Sequence, residues 1–241
     1  MHSWITLIRT SLHSYLSSLL HLLYPHICLQ CGTDQLEDPQ IICTCCEAQL
    51  PFTEFYKIQD SPVEKIFWGR VPIEHAIAVL FFTKESCVQQ IIFELKYQQN
   101  KKAGYLLGRL IALELCQQGY FYQLDYIVPV PIDKSKKRKR GFNQSEIICE
   151  AILANGCKAQ LFKGLLTGKA TDTQTHKDRL QRGLQNDPKF KLKDGALLYQ
   201  KNILLVDDVL TTGATIEAAC HCLLAAQTAS IRIATAAYTI H

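Results

Sequence analysis

Two stretches of this chain carry residue types spaced for chemistry. In the first, Cys28-x-x-Cys31 and Cys43-x-x-Cys46 supply two thiolate pairs separated by eleven residues. Each pair can wrap one edge of a tetrahedral ion, and four protein ligands leave no open position for a substrate, so zinc there is expected to be structural. Cys45 is an alternative ligand to Cys46 or Cys43. Without a metal, two such pairs so close together have no packing reason. Read as a disulfide framework, the cluster would need secretion, and the expected location is instead cytoplasmic. Cys87, Cys116, Cys149, Cys157, Cys220 and Cys222 are scattered over expected helices and loops and read as buried small hydrophobes.

The second stretch is "NILLVDDVLTTGAT", residues 202–215. Ile203, Leu204, Leu205 and Val206 are too few for a helix and fit a strand buried on both faces. Asp207 and Asp208 then stand at its carboxyl end. Thr211, Thr212, Gly213, Ala214 and Thr215 lead into a helix and supply backbone N–H groups, hydroxyls and a positive helix end, which together form a phosphate cradle. The acids could accept hydrogen bonds from sugar hydroxyls or hold Mg²⁺ through oxygen, so the stretch could grip a sugar phosphate at both ends. A Walker B strand is excluded, because "KGLLTGKAT" at 163–171 lacks the first glycine and the magnesium-binding Ser or Thr of a Walker A loop. A receiver domain has no room after Asp208. A plain helix cap explains a threonine but not two adjacent acids.

The elements that must position these residues alternate. A strand at 76–82 precedes helices near 86–97 and 102–118, and "DYIVPVP" forms a strand ending at Pro131. A helix runs from Asn143 to Ala154, followed by a loop-rich stretch, the strand 202–206, a helix from about Ala214 to Ala226 and the strand "SIRIATAAY". Such alternation implies parallel strands with crossover helices, an α/β sheet. Ahead of it lie an amphipathic helix (1–24), the cysteine module (25–50) and an irregular, proline-containing connector (51–75), which leaves 76–241 for the sheet domain. In the first helix Trp4, Ile8, Leu12, Tyr15, Leu19 and Leu22 recur at helical spacing, a face that docks on the body or on a membrane surface. Elsewhere no apolar run is long enough to span a membrane. Apolar residues make up 48% and the net charge is +4, an ordinary globular composition.

The motif at 203–215 resembles the phosphoribosyl pyrophosphate (PRPP) motif of the type I phosphoribosyltransferases. "VPVP" at 128–131, "RGFNQSE" at 140–146, "ELKY" at 94–97 and "LLYPHICLQC" from Leu22 resemble the ComF family, a competence-associated group of phosphoribosyltransferase-like proteins that includes the GntX type. Gln174, Arg182, Asn186 and Phe190 fall at spacings the family shows. Gln99 and Gln227 depart from it, standing at or near its usual turn glycines. The resemblance implies a parallel sheet flanked by helices with a small N-terminal zinc ribbon. It also implies that Asp207 and Asp208 contact the ribose 2- and 3-hydroxyls, directly or through Mg²⁺, while Thr211 to Thr215 hold the 5-phosphate.

Six of the seven residues from Lys134 to Arg140 are basic, on a loop expected to open into the same crevice. By the resemblance, Asp133, Lys134, Ser135 and Lys136 cradle pyrophosphate, with Arg138, Arg140 and Gln144 as neighbours. The same charge could meet nucleic-acid phosphates. Asn143 reads as a helix cap with Glu146 at capping-box spacing. The polar segment 164–186, with Gln174, His176, Arg179 and Arg182, reads as a hood over the site. Two functions follow from these readings. One is a pentosyl-transferring phosphoribosyltransferase using Mg²⁺ and PRPP. The other is a non-catalytic component of the DNA-uptake machinery that senses PRPP or binds single-stranded DNA and other uptake proteins.

Overall fold

The computed structural model describes residues 26–168 and 189–240. The expected helix at 1–24 and most of the expected hood lie outside them. The chain divides into two compact units, Met1–Leu50 and Pro51–His241.

Among the described residues of the first unit, Cys28, Ile41, Ile42, Cys46 and Leu50 are buried. Units of this size are usually stapled by metal or disulfides. All its described cysteines are unpaired thiols.

The second unit is built on a five-stranded sheet of β1 (His75–Phe82), β2 (Tyr126–Pro129), β3 (Gln160–Leu161), β6 (Asn202–Leu210) and β7 (Ser230–Thr239). Their order is β1-β7-β6-β2-β3, and every neighbouring pair is parallel. From β2 the chain steps outward to β3, whereas from β6 it steps the other way to β7. The order therefore reverses between β2 and β6, and in open α/β sheets that is where a crevice forms beyond the strand ends. A separate antiparallel ribbon joins β4 (Leu165–Thr167) to β5 (Phe190–Leu192), within a stretch expected to be loop.

The helix Ala214–Leu224 packs Ile216, Ala219, Cys220 and Leu223 against Ile203, Leu205, Ile231 and Ile233 on one side of the sheet. On the other lie the helices Cys87–Tyr97, Lys101–Gln117 and Gln144–Ala154. Serine and asparagine caps start them: Ser86 accepts from Gln89 N at 3.2 Å, and Asn100 Oδ1 from Lys102 N at 3.1 Å. The second and third of these helices meet where Gly104 and Gly108 face Ile147, Ile148 and Ala151.

Residues 51–75, expected as a connector, belong to the second unit. Pro51 O and Thr53 N bond to Phe81 N and Val79 O and cover the edge of β1, an edge that would otherwise expose unpaired backbone. Ser61 and Glu64 form a capping box for the short helix Pro62–Lys65. Phe55, Val63, Phe67 and Val71 join the main core. Prolines had suggested irregularity, but the apolar residues between them are what fix this segment.

Candidate functional site

β6 continues four residues beyond its expected end, because β7 pairs alongside it through Asp207↔Thr235 and Leu210↔Tyr238. On the opposite side β2 leaves at Pro129, opposite Val206, and prolines cannot extend a ladder. Past Val206, the β6 edge that had faced β2 has no strand partner among the described residues, and the two acids stand at this opening.

Asp207 Oδ1 accepts from Ser145 Oγ at 3.1 Å and from Asp208 N at 2.9 Å. Burial, then the charge of Asp208, pushes the Asp207 carboxyl up to about 7. Asp208 turns instead to the helix Cys87–Tyr97, where Lys96 Nζ lies 2.9 Å from its Oδ2.

Thr211, Thr212 and Gly213 form the turn into the helix Ala214–Leu224, and Gly213 has φ +77°. A Cβ at Gly213 would lie 2.7 Å from Ile66 Cγ2 and 3.1 Å from Phe67 Cε1. Conformation and space both demand glycine there. Arg70 holds the turn from outside, donating to Thr212 O at 3.0 Å and pairing with Glu217. Lys189 Nζ lies 2.8 Å from Thr215 Oγ1. The loop lines a concavity of about 50 Å³ that includes Asp207. Larger cavities of about 560 and 790 Å³ open at the amino ends of the strands, around Glu74 and Arg232 and around Trp68 and His75. They lack a glycine turn leading into a helix.

The basic segment expected as a loop is a helix, Lys134–Arg140, ended by Gly141 at φ +82°. Long unbranched basic side chains favour helix, and glycine takes the left-handed stop. Asp133 precedes it without a side-chain cap. Lys134, Ser135, Lys136, Lys137, Arg138 and Lys139 are exposed. Arg140 donates to the Gln144 amide at 2.9 Å and stacks over Tyr97, its Cζ 5.6 Å from the ring centre. Tyr97 in turn packs on Phe93, both largely exposed.

Asn143 caps the next helix, accepting from Ser145 N at 3.2 Å and donating to Val130 O at 3.0 Å. The expected capping box does not form there. Glu146 pairs instead with Lys137 and Lys163 at 3.3 and 3.5 Å.

The structure thus brings Asp207, Asp208 and the 211–215 loop together, and it sets Asp133, Arg140 and Gln144 after the adjoining strand. Gln174, Arg182 and Asn186 lie outside the described residues. Sequence reasoning missed Ser145, Lys96, Arg70 and Lys189 as members of this constellation. "ELKY" and "RGFNQSE" flagged two of them as family residues without a role.

In the first unit, the sulfurs of Cys28, Cys31, Cys43 and Cys46 all lie within 4.8 Å of one another. The Cys31–Cys43 separation of 3.8 Å matches the roughly 3.8 Å edge of a tetrahedron with 2.3 Å metal–sulfur bonds. Cys45 is exposed and is not one of the clustered residues. Burial opposes ionisation of Cys28, but N–H groups of Cys31, Cys43 and Gln30 together bring its thiol down to about 6. The four-sulfur set suggests a zinc site.

The parallel sheet, with an acid pair inside one inner strand and a glycine turn after it, is that of a phosphoribosyltransferase-type fold. The phosphoribosyl transferase domain model matches residues 167–241. The chain is homologous to two groups of bacterial proteins. It is 32% identical over 150 residues to DNA utilization protein YhgH of Salmonella typhimurium, covering 59% of this chain and 63% of that protein. The Escherichia coli K12 YhgH is 31% identical over 149 residues, with the same coverage. Competence protein ComFC of Bacillus subtilis is 33% identical over 101 residues, covering 41% of this chain and 38% of that protein. The aligned region thus spans less than two thirds of each of these relatives.

Proposed function

We propose that this crevice binds PRPP or a related ribose 5-phosphate ligand together with Mg²⁺. The supporting observation is the direct succession, along one strand and one turn, of two carboxylates and a loop of N–H groups and hydroxyls entering a helix. Phosphate suits the loop and the helix end, and the carboxylates suit ribose hydroxyls. Adjacent carboxylates are hard oxygen donors of the kind Mg²⁺ takes, so Asp207 and Asp208 would hold it. When bound, it would offset negative charge on departing pyrophosphate. Asp133, Lys134, Ser135 and Lys136, with Arg138, Arg140 and Gln144, supply polar and positive side chains for the pyrophosphate side. In the N-terminal unit the four cysteines hold structural zinc. The protein serves competence-related DNA handling, in keeping with the names of its relatives.

Calorimetry tests the assignment. Asp207→Asn with Asp208→Asn should weaken Mg²⁺-dependent PRPP binding and spare inorganic phosphate, whereas Thr212→Val should weaken both. Wild-type affinity for Mg²⁺ and PRPP in the double variant would refute it.

A second reading has its own support: the exposed basic helix adjoins the Phe93–Tyr97 ring pair capped by Arg140, a combination of charge and stacking surface suited to single-stranded nucleic acid. Its affinity for single-stranded DNA should fall steeply with salt. It should fall again when Lys136, Lys137 and Lys139 become alanine, and an unchanged salt slope in that variant would sink this reading.

A further inference from the structure

Lys96 comes from a helix far upstream of the acid pair, yet its ammonium meets Asp208 Oδ2 at 2.9 Å, with the two side chains 20% and 13% exposed. A pair this sheltered adds little net stability, because desolvation offsets attraction. The neighbouring Glu94 is not drawn to this ammonium, since its carboxylate accepts from Asn100 Nδ2 at 3.1 Å. Asp207 is engaged separately, by Ser145 and the Asp208 amide. Among the described residues, Asp208 is thus the acid of the pair that a lysine of the chain contacts directly.

A divalent cation approaching Asp208 meets that ammonium at close range, where like charges repel strongly in a partly dry site. Lysine's charge sits on a flexible four-carbon stem and can move to another anion if one arrives. We infer that Lys96 is an exchangeable counter-ion, holding Asp208 in the unliganded protein and passing to the ligand's phosphate oxygens when a divalent cation and a pyrophosphate-bearing sugar enter together. The inference rests on the reading of the crevice given above. Its consequence is a coupling: PRPP gives the ammonium somewhere to go, so it tightens cation binding, and the cation tightens PRPP binding by the same factor.

The probe is Mn²⁺, with free ion followed by electron paramagnetic resonance on the full chain, with and without PRPP. Lys96→Met should bind Mn²⁺ alone roughly tenfold more tightly than wild type, and the tightening caused by PRPP should shrink by about the same factor. Lys96→Arg, which keeps the charge, should bind Mn²⁺ alone as weakly as wild type. If circular dichroism shows Lys96→Met unfolded, Lys96→Gln supplies the same comparison. Wild type in which PRPP tightens Mn²⁺, paired with a neutral variant that binds Mn²⁺ alone no better, would overturn the counter-ion role and leave the crevice assignment standing. Wild type that binds neither Mn²⁺ nor PRPP would overturn both.

Discussion

Replacing Gly108 by alanine should destabilise the protein, the reverse of what a glycine inside a helix ordinarily predicts. A Cβ at Gly108 would lie 2.5 Å from Ala151 Cβ and 2.5 Å from Ile148 O, whereas carbon contacts are comfortable near 3.5–4.0 Å. Neither neighbour can rotate away, one being a backbone carbonyl and the other a Cβ, so the two helices must part by about 1 Å. Alanine gains about 1 kcal/mol in helix propensity over glycine. Overpacking costs about 1–3 kcal/mol and can cost more against backbone, so a net loss of about 1–2 kcal/mol is expected. For a chain of this size that lowers Tm by about 2–8 °C. The displaced helix begins at Asn143 and Ser145, so the 3.1 Å contact from Ser145 to Asp207 should loosen and PRPP should protect the variant less against heat. Scanning calorimetry of Gly108→Ala, with and without PRPP, measures both effects. An unchanged or raised Tm would show that the helix pair is not close-packed at this glycine and would refute the reasoning.

Glu114 is 6% exposed, and burial, with Glu54 adding repulsion and the Tyr56 N–H opposing, pushes its carboxyl up from 4.5 to about 7. The folded state therefore favours the protonated form. Its contribution is intact below the unfolded value near 4.5 and is lost as pH rises to about 7. Glu114→Gln cannot ionise, so its stability advantage over wild type should grow by about 2 kcal/mol between pH 5.5 and 8; urea unfolding at the two pH values checks this, and a constant gap would contradict it. Elemental analysis of purified protein should find one zinc per chain, lost in Cys31→Ser and in Cys46→Ser and kept in Cys45→Ser. Zinc retained in Cys46→Ser would mean that Cys45 had replaced it.

The long elements were legible because each repeats its pattern enough times to outweigh local noise: every expected strand and helix of the sheet domain recurs within a few residues of its expected bounds. β3 and β4, at two and three residues, carry no period at all, and pairing with neighbours is what makes them strands. The continuation of β6 through the acids was likewise illegible, since Asp207 is held in the ladder by β7, whose register no local pattern records. The same is true of the site's second layer. Asp207 and Asp208 announce themselves by adjacency, but Ser145, Lys96 and Arg70 reach the site across long sequence separations. Their residue types are ordinary on any helix surface.

Gln99 and Gln227 show the opposite relation, in which a sequence departure leaves the geometry in place. Both adopt a left-handed backbone, φ +55° in each case, which disfavours a non-glycine residue by roughly 1–2 kcal/mol. The turns persist because hydrogen bonds on either side fix them. Glu94 O accepts from Gln98 N and Asn100 N around the first, and Gln227 donates to Leu224 O and accepts from Gln200 N at the second. The first turn connects the helix bearing Lys96 to the helix bearing Gly108, so its geometry sets how Lys96 is delivered to Asp208. Glycine would relax the strain there, yet it would also free a hinge directly behind the ammonium that meets Asp208.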